Sequence, residues 1–364
     1  MTGVVEVQIT DVAFGGKGVG RVNGKAAFVS YVIDGETVSV RITGEKRRFV
    51  EAELVAVARP SAHRVTPPCP YFGRCGGCVY QHIEYGHQLA IKTRQVKQAL
   101  ARIGGLIDVP VLPMIASPLE YGYRNRITVH VRDGVIGFFQ RESDALIDVE
   151  RCPISSDDVN AELAQLRAAH PGEGHYTLRG RKAPRVFAQA NDRVAAAMLD
   201  VVDWMLAGAS GTLIDAYCGA GFFAKRLRNR FARVIGIDWD AHAIALAERD
   251  AQPHERYIAG RVEDALLREL ECCAIERGER ANSTPLIVDP PAEGLSSSVR
   301  QAIAQLRPDR CIYISCNPAT LARDLRELRS SFRIDSITPL DMFPQTAEIE
   351  AIAELTTLQR HIVN

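Results

Sequence analysis

Cys316 ends the apolar run Ile312-Tyr313-Ile314-Ser315 and is followed at once by Asn317-Pro318. Such a run predicts a buried strand that stops at the cysteine, because Pro318 cannot donate to a continuing ladder and the helical spacing of Leu321, Leu325 and Leu328 begins just after it. Ligands of open α/β sheets sit at the carboxyl ends of strands, where a thiol is placed for nucleophilic work. A small buried hydrophobe is the other reading of a free cysteine. Upstream, Gly211-Thr-Leu-Ile-Asp215-Ala-Tyr217-Cys218-Gly219-Ala-Gly221-Phe222 reads as a strand, a glycine turn and a helix start. The turn lets backbone N–H groups approach a ligand closely. A dinucleotide loop usually has a third glycine, where this chain has Ala224, so a nicotinamide dinucleotide fits poorly. Val234-Ile-Gly-Ile237 ends at Asp238, whose carboxylate can accept from both hydroxyls of a ribose, and Leu286-Ile-Val288 runs into Asp289-Pro290-Pro291. Four strand ends thus bring four candidate groups to one rim.

A second constellation is Cys69, Cys75 and Cys78, with Cys152-Pro153 far downstream. Pro67, Pro68 and Pro70 with Gly76-Gly77 let the backbone wrap a compact object, and four thiolates suit either tetrahedral zinc or a four-iron cluster. Nine cysteines, several tightly spaced, point to a reducing compartment and metal rather than disulfides. Cys218, Cys272, Cys273 and Cys311 read as packing or incidental residues.

The elements that position these groups fall into three units, 1–59, 60–185 and 186–364. In the first, Val4–Thr10, Ala27–Val29, Thr37–Ile42 and Ala52–Val57 alternate at strand period, with Gly15-Gly16-Lys17-Gly18, Asp34-Gly35 and Gly44 as turns. Several short strands predict a small barrel. In the second, helical spacing runs from Tyr85 to Ile103 and stops at Gly104-Gly105. Tyr121–Val131 and Val135–Phe139 predict a hairpin turning at Asp133-Gly134, with a third strand near Leu146. The third is a Rossmann-like α/β sheet.

At 364 residues with 46% apolar composition, the chain can build two or three cores. No run is long and apolar enough for a transmembrane helix, and the N-terminus lacks a secretory pattern, which predicts a cytoplasmic protein. Basic and acidic residues each number 44, so any nucleic-acid site must be a local patch. Three clusters are candidates: Arg64, Arg74, Lys92, Arg94, Lys97 and Arg102; Arg179, Arg181, Lys182 and Arg185; and Arg226, Arg228, Arg230 and Arg233, the last reading better as a solvated face. No obligate protein partner is inferred, and the oligomeric state is not legible.

The motifs DxYCGxGxF, GIDxxxxAIxxA, IVDPP, ISCNPATLARDL and DMFPQTxEIE, in this order, resemble those of the S-adenosylmethionine-dependent RNA 5-methyluridine methyltransferases, in the branch with an N-terminal TRAM domain and an iron–sulfur cluster. The resemblance implies an OB-type TRAM barrel over 1–59, a central domain with a [4Fe-4S] cluster on Cys69, Cys75, Cys78 and Cys152, and a catalytic domain against which helix 85–103 packs. It implies S-adenosylmethionine near Gln189, Tyr217, Gly219, Phe222, Asp238, Arg261 and Asp289, where Gln189 belongs to the element Phe187-Ala-Gln189-Ala-Asn191. Cys316 is then the nucleophile that adds to C6 of uracil, and Glu350 the base that removes the C5 proton. The target is a loop uridine in structured RNA, with ribosomal RNA favoured and a T-loop uridine of transfer RNA the alternative. Cytosine-C5 enzymes place their cysteine in other motifs, and a non-catalytic RNA-binding relative is the remaining alternative. The chain departs from the family at Ala292, where relatives often have arginine, and at Arg261, where they often have a small polar residue.

Overall fold

The computed structural model describes residues 4–180, 189–276 and 284–358. Its first sheet comprises β1 (Val4–Gln8), β2 (Asp11–Val12), β3 (Lys17–Val22), β4 (Lys25–Ser30), β5 (Thr37–Glu45) and β6 (Phe49–Arg59), in the order β1-β5-β6-β4-β3-β2. Period-two alternation buries Val7, Val29, Val38, Val40 and Val50 in one core. The sheet curls so that Thr10 N donates to Val19 O at 2.8 Å, bringing the end of β1 against β3. Gly15 and Gly16 do turn, with φ of 91° and 88°, but Lys17 and Gly18 already belong to β3. Glycine serves packing there rather than turning: a Cβ on Gly20 would stand 2.6 Å from the Gln8 carbonyl oxygen.

Next come α1 (Tyr85–Ala99) and a π-type turn at Leu100–Gly104, closed by Gly105 in the left-handed region. A four-stranded antiparallel sheet follows, built from β7 (Arg126–Arg132), β8 (Val135–Phe139), β9 (Leu146–Asp148) and β10 (Gly174–Arg179) in the order β10-β7-β8-β9, with α2 (Asp157–Ala168) packed on it. Asp133 and Gly134 both have positive φ, 53° and 77°, as a two-residue hairpin of this kind requires. β10 is an additional strand whose short run, Gly-His-Tyr-Thr-Leu-Arg, gives little alternation to read.

The third unit contains α3 (Asp192–Met205), β11 (Thr212–Ala216), α4 (Phe222–Leu227), β12 (Arg233–Asp238), α5 (Ala241–Glu248), β13 (Glu255–Ala259), α6 (Val262–Glu276) and β14 (Leu286–Val288). It continues with α7 (Ser297–Leu306), β15 (Arg310–Ser315), α8 (Pro318–Leu328), β16 (Phe332–Leu340) and β17 (Glu350–Thr357). The strand order is β13-β12-β11-β14-β15-β17-β16. Strands β11 to β15 run parallel; β11, β12, β14 and β15 are buried on both faces, as strands covered by helices on both sides must be, while the edge strand β13 is only partly buried. β17 is inserted antiparallel between β15 and β16. Helix α1 lies against this unit, where the Lys92–Asp341 ion pair is fully buried at 2.6 Å. Among the described residues no helix is long and apolar enough to cross a membrane.

Candidate functional site

Ser315, the last residue of β15, accepts a hydrogen bond from Asn317 N at 3.2 Å and donates to Asn317 O at 3.1 Å. This tight turn presents Cys316 half-buried at the strand end, and Asn317 then caps α8 by accepting from Ala319 N. The antiparallel register pairs Ser315 with Ala351, so Glu350, the first residue of β17, stands opposite Cys316. A carboxylate distant in sequence is thereby delivered to the rim formed by the parallel strand ends. Asp289 is the first residue after β14, and its N–H donates to Ala216 O at 3.3 Å.

The glycine turn is bound into the same rim. Gly219 N donates to Asp238 Oδ2 at 2.8 Å, Asp240 N to Asp238 Oδ1 at 2.9 Å, and Gly260 N to Asp238 O at 2.8 Å. Each carboxylate oxygen of Asp238 retains capacity for a second donor. Tyr217, Gly219 and Gly221 all adopt positive φ, and a non-glycine residue held there, Tyr217 at 65°, marks a backbone bent for close approach to a ligand. Phe222 opens α4 beside Phe223, and Arg261 follows Gly260, mostly exposed and 3.7 Å from Glu263. Gln189 is buried, with its carbonyl accepting from Asn125 Nδ2 at 2.9 Å. Phe187 lies outside the described residues, as do Arg181, Lys182 and Arg185.

The electrostatics of this rim have one sign. Burial and the nearby Glu350, Asp289 and Glu348 carboxylates push the Cys316 thiol up to about 12. Glu350 is raised well above the ordinary carboxylate range by burial, then by Asp289 and Glu348. The surrounding protein lifts Asp289 to about 7. Asp215, which the sequence shows only as part of the strand, is pushed up to about 8 by burial, despite accepting from Ala224 N at 2.9 Å. Its other oxygen is buried without a partner. Burial and mutual repulsion thus raise the proton affinity of these acids, an environment in which a positive charge placed among them would favour their ionised forms.

The four cysteines 69, 75, 78 and 152 line one cavity of about 300 Å³, together with Tyr71, Phe72 and Phe138. Asn160 of α2 fixes Cys152, accepting from its N–H at 2.8 Å and donating to its carbonyl at 3.0 Å. Burial and the neighbouring thiols drive Cys78 up to about 12. Gln81 accepts from Cys69 N through Oε1, while its Nε2 is buried without a partner, a spare donor beside the sulfurs. Among the described residues, no three cysteine, histidine or acidic side chains converge tightly enough for a single metal ion. The thiols surround a space instead of meeting at a point.

The basic clusters divide. Arg226 and Arg230 pair with Asp200 and Asp203, and Arg228 with Asp250 and Glu255, so the third cluster braces its own domain. In the first, Arg64 pairs with Glu36, Lys92 with Asp341, and Arg94 with Asp11 and Asp34. Arg94 ties α1 to the barrel, Arg64 ties the linker after β6 to the barrel, and Lys92 ties α1 to the third unit. Sequence reasoning missed Arg124 and Arg126, which crowd Arg179: both guanidiniums depress the pKa of Arg126, after burial. Arg124 also lies over the Phe343 ring at 6.0 Å. It also missed Asp324, which accepts from Leu295 N at 2.8 Å and Tyr313 OH at 2.7 Å and pairs with Arg300 and Arg323. Arg323 donates to Glu293 O at 2.8 Å, so a guanidinium from α8 holds the loop around Ala292.

Comparison with known proteins identifies the family. The tRNA (Uracil-5-)-methyltransferase family model matches residues 173–357, and the TRAM domain model matches residues 3–55. The chain is 30% identical to an uncharacterized RNA methyltransferase of Thermosynechococcus vestitus, over 97% of this chain and 98% of that one. It is also 30% identical to the 23S rRNA (uracil(1939)-C(5))-methyltransferase RlmD of Acidithiobacillus ferrooxidans, over 93% of this chain and 94% of the relative. The crystal structure of the Pyrococcus abyssi tRNA (uracil-54, C5)-methyltransferase with S-adenosyl-L-homocysteine shares the fold, with a TM-score of 0.70 at 23% identity over 98% of this chain and all of that one. With a family model over half its length and a 30% identical relative over nearly all of it, the chain belongs to the S-adenosylmethionine-dependent RNA (uracil-C5)-methyltransferase family.

Proposed function

We propose that the chain makes 5-methyluridine through a temporary bond between Cys316 and C6 of the target uracil, with Glu350 as the base that completes the reaction. The observation that carries this reading is the pairing of Ser315 with Ala351, which sets a buried acid opposite a strand-end thiol. S-adenosylmethionine, when bound at the acidic rim, supplies an electrophilic methyl group and one positive charge. Gly219, Asp238 and Asp289 would hold its parts, with Gln189, Tyr217, Phe222 and Arg261 around them.

Cys316 passes its proton to water as its sulfur bonds to C6, and the ring becomes an enolate whose C5 takes the sulfonium methyl group, leaving the neutral thioether S-adenosylhomocysteine. C5 then carries both the methyl group and its original hydrogen. Glu350 takes that hydrogen as a proton, the C–H electrons restore the C5–C6 double bond, and the C6–S bond breaks to return the thiolate. The raised proton affinity of Glu350 suits this step. Ionised while a cation lies beside it, the carboxylate becomes a strong base once methyl transfer has consumed the positive charge. The crowding of Arg124, Arg126 and Arg179 supports a phosphate contact there, and a target uridine that must swing out to reach Cys316 favours a loop over a duplex.

Cys69, Cys75, Cys78 and Cys152 would hold the [4Fe-4S] cluster. The open cavity and the spare Gln81 donor suit a polynuclear group bearing sulfide better than one zinc ion. Such a cluster would organise the fold, and no step of the reaction runs through it. Large-subunit ribosomal RNA is the substrate we favour, supported by the full-length relative of that activity, and the cytoplasm is its place of action. RNA containing 5-fluorouridine tests the chemistry: the protein should form a stable covalent adduct that Cys316→Ala cannot form. No adduct with the unaltered protein would end the covalent reading. Mapping 5-methyluridine in ribosomal and transfer RNA from a deletion strain tests the substrate, and loss confined to transfer RNA would reverse that choice.

A further inference from the structure

Glu350 is delivered by the segment 341–349, and that segment is held from outside the catalytic sheet. Asp341 accepts from Lys92 Nζ at 2.6 Å, and Phe343 O from the same ammonium at 3.0 Å. Asp341 N donates to Ile115 O at 2.9 Å, and Pro344 O accepts from Tyr123 OH at 2.9 Å. Ala347 packs with Val12 and Ile33 of the barrel and with Val79, Tyr80 and Ile83.

The centre of this grip is Gln345, 1% exposed and bent to a φ of 69°. Its carbonyl accepts from both Val79 N and Tyr80 N at 3.0 Å. Its N–H donates to Gln88 Oε1 at 3.1 Å, and its Oε1 accepts from Gln88 Nε2 at 3.0 Å. Gln88 is itself fully buried and donates to Ile83 O at 2.8 Å. The two amides that hold the Gln345 carbonyl directly follow Cys78, a wall of the thiol cavity.

We propose that Gln88 and Gln345 are positioning residues that cast the Glu350 segment on the cysteine-bearing segment, so that whatever fills the thiol cavity sets the geometry of proton removal from C5. This rests on the reading of Glu350 as the base. A group bound to Cys78 fixes the Val79 and Tyr80 amides, these fix the left-handed bend at Gln345, and the bend aims the chain that enters β17 at Glu350. Cys316 sits on β15 and its own Ser315–Asn317 turn, which none of the hydrogen bonds to Gln345 reaches directly. Emptying the cavity or breaking the glutamine pair therefore slows release of product more than attack on the ring.

Two measurements test this. The first is hydrogen exchange of the complete protein, as isolated and after oxidative stripping of the cavity's occupant. Amides of 341–350 should exchange about tenfold faster after stripping, relative to α8 and β15. Equal change in all three would overturn the coupling. The second follows methyl transfer and tritium release from [5-³H]uridine RNA by the loaded protein. Gln88→Met should transfer the methyl group but release tritium roughly 10- to 100-fold more slowly, leaving methylated RNA covalently bound. Gln88→Glu, which retains the acceptor for Gln345 N, should recover part of the loss. A merely structural role would lower both steps together, which sinks the positioning role. Glu350→Gln is the reference: if it stalls and Gln88→Met does not, only this inference fails. If Glu350→Gln releases tritium normally, the base assignment and this inference fall together.

Discussion

The chain uses cysteine in two settings, and both keep the sulfur protonated in different ways. At the rim, a single thiol stands among carboxylates: Glu350, Asp289 and Glu348 each raise Cys316, after burial. In the central unit, four thiols face one another across an aromatic-lined cavity, and burial dominates the rise at Cys69, Cys75 and Cys78. Both sites therefore store a demand for positive charge. The rim gathers its acids at the ends of the parallel strands, and on the proposed reading its cation comes and goes with each turnover. The cavity is walled by Tyr71, Phe72 and Phe138 and braced by Asn160, which suits a resident. The difference lies in what surrounds the sulfur, since a free thiol has the same intrinsic acidity in either place.

Exchanging the loss between the two settings is the strongest way to break that contrast. Cys316→Ala should abolish methyl transfer, by about 10⁴-fold or more, with the thermal midpoint nearly unchanged. Turnover assayed with S-adenosylmethionine carrying a labelled methyl group, beside a melting curve, decides it. Cys78→Ser should do the converse: adduct formation persists in kind, metal and visible absorbance are lost, and the midpoint falls by about 5–10 °C. Should Cys78→Ser retain full iron and colour, the cavity is not the cluster site.

The seam between the two regions gives the next prediction. Lys92 and Asp341 are both fully buried, and Asp341 keeps one oxygen without a hydrogen-bond partner. Lys92→Met leaves that carboxylate uncompensated, at a cost of about 3–5 kcal/mol in unfolding free energy. Lys92→Met with Asp341→Leu should recover much of it, because two apolar side chains need no pairing. Denaturant unfolding of the two variants checks this, and equal losses would show that the pair contributes packing alone.

How far the sequence discloses these regions depends on the range of the forces involved. The rim was legible because each of its groups follows a local signal: an apolar run, then Asp289, Cys316 or Asp238 at a strand end. The barrel and the hairpin at Asp133-Gly134 were legible through alternation and turn chemistry. The Gly18–Gly20 strand was not, since its glycines answer to Val32, Val7 and Gln8, which approach only when the barrel curls. Strand β17 was harder still. Its antiparallel insertion, which puts Glu350 opposite Cys316, follows from sheet pairing and not from any pattern in 350–357. Gln88 and Lys92 carry no local signal, as a buried glutamine or lysine looks in sequence like any surface residue. Gln345, Asp324 and Asp215 stand inside the recognised motifs, but their buried partners come from other segments and are not legible there.

The acidity of the rim yields the smallest effect and the sharpest sign. Burial holds the Asp289 carboxyl well above the ordinary carboxylate range in the free protein, so its ionised fraction rises across neutral pH. A sulfonium binds the ionised form, so the dissociation constant of S-adenosylmethionine should fall roughly tenfold between pH 6 and pH 8 and level off above. Stability of the free protein moves the other way. The pKa of Asp215 is about 8 when folded, above the ordinary carboxylate value, so its contribution is complete at low pH and is lost as pH rises through 8. The melting midpoint of the free protein should therefore fall between pH 6 and pH 9. Titration calorimetry with S-adenosylmethionine, and with the uncharged S-adenosylhomocysteine as control, separates the two trends. Asp289→Asn should flatten the first and remove only its own share of the second, because Asp215 keeps its raised proton affinity. If the neutral product shows the same pH dependence as the cation, the rim reads shape and not charge, and its likeness to the thiol cavity as a store of unmet positive charge is lost.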